Sequence, residues 1–158
     1  MNTYQKIPNN YIVWDLETSG LSPIDDKIIE IGAVKVKDGN VVETKNWLLK
    51  NGIFLSDKIT EITHITDDLI DKEGIEPDQA FDEFINMFND IPDFKNVTHN
   101  GFKFDILFLL NSLPEKHREA GKKIADNMLD TAVYVKAAKL QMPMYENESF
   151  NSWATRVM

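Results

Sequence analysis

The 158-residue chain contains no cysteine, which excludes disulfides, thiolate nucleophiles and thiolate-held zinc or iron–sulfur centres together. A reducing compartment is thereby permitted. Long apolar runs are also missing. The longest unbroken aliphatic and aromatic stretch is ILFLL at 106–110, far short of the about 20 residues that a membrane-spanning helix needs. The opening MNTYQKIPNN lacks the apolar centre of a secretory signal. The expectation is a cytoplasmic protein with no membrane partner. Low-complexity tracts and internal repeats are absent too, and hydrophobic residues at 42% with charged residues at 27% describe an ordinary globular chain. A chain of this length buries roughly 68–70% of its unfolded surface, enough for one core, so residues 1–158 are expected to form a single domain.

Positive charge is scarce. Seventeen Lys and Arg stand against 26 Asp and Glu, a formal net charge of -9, which weighs against a nucleic-acid partner because phosphate binding ordinarily needs a basic surface. The distribution softens this. Between Asp57 and Asp93 twelve acids face only Lys58 and Lys72, a local -10, so the remainder of the chain sums to +1. Residues 116–139 carry six Lys and Arg against Glu119, Asp126 and Asp130. That segment is either a solvated surface or a phosphate-facing edge.

What is present reads first as strands. YIVW at 11–14 suits a buried strand, and KIIEIGAVKVK at 27–37 joined through Asp38-Gly39-Asn40 to VVETKNWLL at 41–49 predicts an antiparallel hairpin. Helical spacing follows in PDQAFDEFINMF at 77–88, where Phe81, Phe84, Ile85 and Phe88 share one stripe behind Pro77. FKNVTH at 94–99 reads as a strand. DILFLLNSL at 105–113 reads as a helix with Ile106, Leu109, Leu110 and Leu113 on one face. A short strand at 126–130, a helix capped by Asp130 and a last amphipathic segment in FNSWATRVM complete the chain. The order predicts an α/β fold: a mixed sheet, with a three-strand antiparallel meander plus parallel strands, flanked by helices.

Two acids close the first strand. Successive strand side chains alternate faces, so Asp15 and Glu17 in YIVWDLETSGL project to one side and Trp14 and Leu16 to the other. Like charges about 4 Å apart repel by roughly 4 kcal/mol at an effective dielectric near 20. A divalent cation offsets that cost, and hard oxygen ligands select magnesium or manganese over zinc. The plainer alternative is a solvated strand end with Asp15 bonded to a loop amide. Asp105, in THNGFKFDILFLL, is either an ordinary helix-start aspartate satisfying backbone amides or a third acid of the same site. In mixed α/β sheets, ligands bind where strand ends meet helix starts, and Asp105 opens a helix just after a strand.

These residues carry a resemblance. The chain resembles the DEDD superfamily of 3′-to-5′ exonucleases, of ribonuclease-H-like fold, and within it the DEDDh or proofreading-subunit branch. DLETSGL followed by IIEIGAVKV is similar to the first family motif, which implies that Asp15 and Glu17 bind metal. EITHITDDLI resembles the segment lying against substrate and implies that His64 contacts the terminal nucleotide. HNGFKFDILFLL resembles the second motif and makes Asp105 the third acid, while LDTAVYVKAAKL matches the helix that follows. By the same resemblance Leu21 is expected to push between terminal bases; Asn100 and Phe104, which neighbour Asp105, are expected to contact base and sugar, with Thr18 among the substrate-binding residues. The plainer alternatives are Leu21 and Phe104 as core residues and Asn100 as a turn or cap. The matched segments run in family order over residues 11–140.

One motif is missing. The family's His-x4-Asp, which would supply the fourth acid and the general base, does not occur in residues 1–158: His64, His99 and His117 are followed five positions on by Leu69, Phe104 and Lys122. The resemblance therefore implies a two-ion Mg2+ or Mn2+ exonuclease domain acting on single-stranded or frayed 3′ ends of DNA or RNA, with a DNA polymerase as a further partner. The domain is expected to be cut short at its C-terminal helix and impaired accordingly. A catalytically inactive module of the same fold that binds nucleic acid or a polymerase is the alternative, and a metal-dependent phosphohydrolase of small molecules is a third.

Overall fold

The computed structural model describes residues 8–89 and 95–158. Five strands form one mixed sheet in the order β3-β2-β1-β4-β5. The central strand β1 (Tyr11–Thr18) runs antiparallel to β2 (Ile28–Lys37), and β2 runs antiparallel to β3 (Asn40–Leu48). The β2–β3 turn places Asp38 and Gly39 at φ of 50° and 76°, the left-handed pair that a tight hairpin of this kind demands. Two short strands, β4 (Lys95–Thr98) and β5 (Met128–Asp130), extend the sheet in parallel with β1. Phe94, read as the start of the fourth strand, lies outside the described residues.

Helices cover both faces. The first core packs Ile12, Trp14 and Leu16 of β1 against Phe81 and Phe84 of α3 (Pro77–Asn86), Phe108 and Leu109 of α4 (Asp105–Ser112) and Ile124 of α5 (Arg118–Asp126). On the opposite face α6 (Thr131–Leu140) and α7 (Phe150–Val157) bury Val133, Ala137, Phe150 and Trp153, with Val97 of β4 against them. Two short helices, α1 (Asp57–Thr63) and α2 (Asp67–Glu73), fold over the edge of the sheet near Ile29. Neither has a long apolar stripe, and the sequence predicts neither.

Buried polar groups are paired at the centre. The Trp14 indole donates to Asn96 Oδ1 at 2.8 Å, and the Asn96 amide donates to the Ile124 carbonyl at 2.7 Å. This chain ties β1 to β4 and β4 to the end of α5 beneath the parallel part of the sheet. The α4 stripe departs from its expectation: Phe108 is buried and Leu110 is 39% exposed. Leu110 instead lies over Gly121 of α5, where the missing Cβ leaves room for it.

Candidate active site

Burial alternates along β1 as the pleat requires. Ile12, Trp14, Leu16 and Thr18 are buried, so Asp15 and Glu17 turn together to the other face. A bulge between Glu17 and Thr18 ends the regular pairing with β2, a common device for re-aiming side chains beside a site. The loop that follows is tightly tied. Thr18 Oγ1 donates to the Gly20 carbonyl at 2.6 Å, and Asp26 accepts from the Ser22 amide at 2.9 Å and from the Ser19 hydroxyl at 3.3 Å. Leu21 stands at the loop tip with 84% of its surface exposed.

Asp105 does not cap its helix with its side chain; Phe104 holds the cap position and makes no side-chain cap bond. The Asp105 carboxylate, 3% exposed, instead accepts the Leu16 amide at 3.1 Å, 89 residues away in sequence. Leu16 separates Asp15 from Glu17, so this one hydrogen bond seats the third acid at the strand segment between the first two. The electrostatics agree. Burial and then the neighbouring Asp15 charge push the Asp105 carboxyl up to about 6, against the opposing pull of the Leu16 amide. Burial raises Asp15 as well, while His99 and the Leu16 amide act to lower it. Glu17 is raised by burial, then by Asp15 and Glu30.

The donor set fits a hard divalent cation by its chemistry: three carboxylates, each held above its ordinary pKa, two of them raised in part by another of the set. As the side chains stand, no three acidic or imidazole groups among the described residues are close enough to enclose an ion. Asp15, Glu17 and Asp105 are electrostatic neighbours rather than a closed cage.

The remaining expected residues are dispersed. Asn100 sits in left-handed backbone at φ 62°, five residues before Asp105 in the loop that leads to it. Phe104 is half-buried against Phe108, with ring centroids 4.9 Å apart. Thr18 is buried and its hydroxyl is engaged within its own loop. His64 is exposed at the left-handed C-cap of α1, and none of its described contacts joins it to the acids. The basic cluster of 116–139 is largely a paired surface: Lys116 meets Asp82 at 2.6 Å, Arg118 meets Glu115 at 2.8 Å and Lys122 meets Glu119 at 3.5 Å.

Two residues acquire a place that spacing did not show. Asp130, read only as a helix cap, is fully buried and accepts the amides of Asn100 at 2.7 Å, Phe102 at 3.1 Å and Ala132 at 2.9 Å. It therefore fastens the loop carrying Asn100, Phe104 and Asp105 to the start of α6. Thr131 donates to the Thr98 carbonyl at 3.1 Å and meets His99 Nδ1 at 2.8 Å. An Asp-Thr pair opening an apolar helix signals a cap; its reach to residues some thirty positions upstream has no local signature.

Comparison with known proteins places this geometry. The RNase_T exonuclease family model matches residues 12–155. A DNA polymerase III PolC-type protein of Lacticaseibacillus paracasei is 32% identical over 144 residues, spanning 91% of this chain and 9% of the relative. One from Mycoplasmopsis pulmonis is 29% identical over 154 residues, 98% of this chain and 10% of the relative. The chain thus spans about a tenth of the length of these relatives. Among solved structures, metal-free E. coli ExoI with single-stranded DNA superposes at TM-score 0.71 with 19% identity, over 95% of this chain and 35% of that one. The zinc-bound form of the same complex gives 0.71 with 18% identity, over 90% and 33%. The chain belongs to the exonuclease family, as a DEDD-type member of ribonuclease-H-like fold.

Proposed function

We propose that residues 1–158 form a 3′-to-5′ exonuclease domain in which Asp15, Glu17 and Asp105 hold two Mg2+ or Mn2+ ions against the scissile phosphodiester. The observation that supports this reading is the Asp105–Leu16 hydrogen bond, which ties the carboxylate at the head of α4 to the backbone amide of the residue separating the two acids of β1. Bound divalent ions supply charge neutralisation at the phosphate and a water acidified enough to attack it. The chain's residues do the rest. Asp15 and Glu17 present their oxygens on one face of a rigid central strand, and Asp105 is held still by burial and by the Leu16 amide. Leu21, exposed on a loop braced by Asp26, is placed to wedge beside a terminal base, and Phe104, Asn100 and His64 offer stacking and polar contacts to a frayed end. Thr18 contributes by shaping the loop.

The substrate is a single-stranded or frayed 3′ end of DNA or RNA. By likeness to the PolC-type relatives, the domain works in the cytoplasm beside a DNA polymerase as a proofreading element. Among the described residues no helix is long and apolar enough to cross a membrane. Because His-x4-Asp does not occur in residues 1–158, these residues on their own hydrolyse slowly: a general base is typically worth about 10²–10⁴ in rate. The same observation supports a second reading, a non-catalytic module that binds nucleic acid or a polymerase. A 5′-labelled single-stranded oligonucleotide incubated with Mn2+ separates the two. The exonuclease reading requires a ladder shortened from the 3′ end that Asp15→Asn abolishes. Binding with no shortening at any enzyme concentration leaves the module.

A further inference from the structure

β3 is the outer strand on its side of the sheet. Edge strands of natural proteins are ordinarily short, bulged or charged so that they do not pair with other chains. This one runs nine residues and leaves Val41 65% and Val42 53% exposed. Its C-terminal end is covered: the Leu48 carbonyl accepts the Ile75 amide, and the Lys50 amide donates to the Ile75 carbonyl, both at 2.9 Å. From Asn40 to Trp47 no described strand lies beyond it. Which backbone groups face outward there follows from the ladder. The Leu49 amide donates inward to the Ile29 carbonyl, while the Leu48 carbonyl faces Ile75. Hydrogen-bonded positions alternate along an antiparallel pair, and the β2–β3 register is regular from Glu30↔Leu48 to Lys35↔Glu43. Trp47, Lys45 and Glu43 therefore turn their amides and carbonyls to β2, and Asn46 and Thr44 turn theirs to the open side.

An incoming strand must satisfy those groups and match the side chains beside them. A second copy of β3 does both in one register. With Thr44 opposite Thr44, open positions meet open positions, Glu43 faces Lys45 of the second copy, and Lys45 faces its Glu43. Sliding the copy by two residues either way sets Glu43 against Glu43 or Lys45 against Lys45. Opposite charges across paired strands stabilise and like charges destabilise, so the sequence of the edge selects the register centred on Thr44. That register also brings Val41 and Val42 alongside the second copy's Asn46 and Trp47. The wider charge agrees. Residues 27–50 carry five Lys against Glu30, Asp38 and Glu43, a local +2 in a chain of -9, so two copies meet here without the repulsion that their acidic 57–93 segments would bring.

We propose that the chain self-associates through β3, two copies pairing antiparallel about Thr44 so that their five-stranded sheets become one continuous sheet. Such a contact is isologous, the same strand serving both copies about a two-fold axis. The axis stands normal to the sheet and keeps each face continuous, so the face of β1 that presents Asp15 and Glu17 lies on the same side in both copies.

Analytical ultracentrifugation of the 158-residue chain, from low micromolar to near-millimolar concentration, reads the association. The expected result is a reversible monomer–dimer equilibrium. Lys45→Glu and Glu43→Lys each turn the two attractive pairs into repulsive ones and are expected to weaken it about tenfold or more. An equimolar mixture of the two variants, in which every pair is again opposite in sign, is expected to restore it. Thr44→Pro removes an outward amide, a change that an edge strand tolerates, and is expected to abolish the dimer while the melting temperature is kept. Because the chain has no cysteine, Thr44→Cys is a single reporter that a short bis-maleimide is expected to join to its own copy. Asn40→Cys, roughly 26 Å from its own copy at about 3.3 Å per residue, is expected to stay unjoined. A chain that sediments as a monomer throughout overturns the proposal. So does a dimer that survives all three substitutions, a crosslink at position 40 in place of 44, or a mixture of the two charge variants that stays monomeric while each is folded by its melting curve.

Discussion

Asp105→Asn removes a charge while keeping an oxygen that can accept the Leu16 amide. In the folded chain Asp105 titrates at about 6 instead of 3.8. That rise means the charged form is disfavoured on folding, by about 3 kcal/mol at about 1.4 kcal/mol per pKa unit. The sign follows from linkage. Between pH 3.8 and about 6 the folded protein holds a proton that the unfolded chain has released, so this group adds stability as pH falls through that window, and above it the full cost is present. Asparagine escapes the cost, but it exchanges a charged acceptor for a neutral one, which gives back about 1 kcal/mol. The variant is therefore expected to be more stable than the wild type at pH 8 by about 1–3 kcal/mol. At roughly 2–4 °C per kcal/mol for a chain of this size, the melting temperature rises by several degrees. The gain shrinks to nothing or reverses below pH 4. Thermal melts of both proteins in metal-free buffer from pH 4 to 8 measure the difference directly. Equal melting temperatures at pH 8, or a gain that does not depend on pH, would refute the claim that Asp105 is a charge held under repulsion and desolvation.

Millimolar Mn2+ is expected to raise the wild-type melting temperature, since an ion bound only by the folded state stabilises it by mass action; Asp15→Asn should lose most of that rise, and a shift that survives the substitution removes Asp15 from the ligand set. Trp14→Phe strips Asn96 Oδ1 of its indole donor, and a buried acceptor left unpaired costs about 1–3 kcal/mol, to be read from urea unfolding midpoints; a loss below half that range means the pocket relaxes. Gly20→Ala sets a methyl group against the Asp26 carboxylate, which braces the loop behind Leu21, so oligonucleotide affinity by fluorescence anisotropy should fall several-fold with little change in melting temperature.

The sheet was legible because each strand carried its own signal. Alternation in IIEIGAVKV and an Asp-Gly turn are local facts, and they place β2 and β3 without help from the rest of the chain. The α4 face was misjudged at Leu110 because the choice between Phe108 and Leu110 is made by α5, a neighbour chosen by the tertiary fold. Helices α1 and α2 went unread for a related reason: their caps are supplied by Ser56 and Thr66, but seven residues each give too little periodicity to distinguish helix from loop.

The site divides along the same line. Asp15 and Glu17 announce themselves because a strand's period of two makes their common face a covalent consequence. Asp105 could be proposed only as one of many helix-start aspartates, and what separates it from them is a hydrogen bond to an amide 89 residues away. Asp130 and Thr131 show the limit more sharply. Spacing gives the cap to Ala132, whereas the bonds to Asn100, Phe102, Thr98 and His99 exist only because β5 lies parallel to β4 with Thr98 opposite Asp130. Parallel pairing is non-local, joined through a helix, so its register leaves no trace in either segment alone. It is this register that carries an acceptor to the Asn100 loop and a hydroxyl to His99.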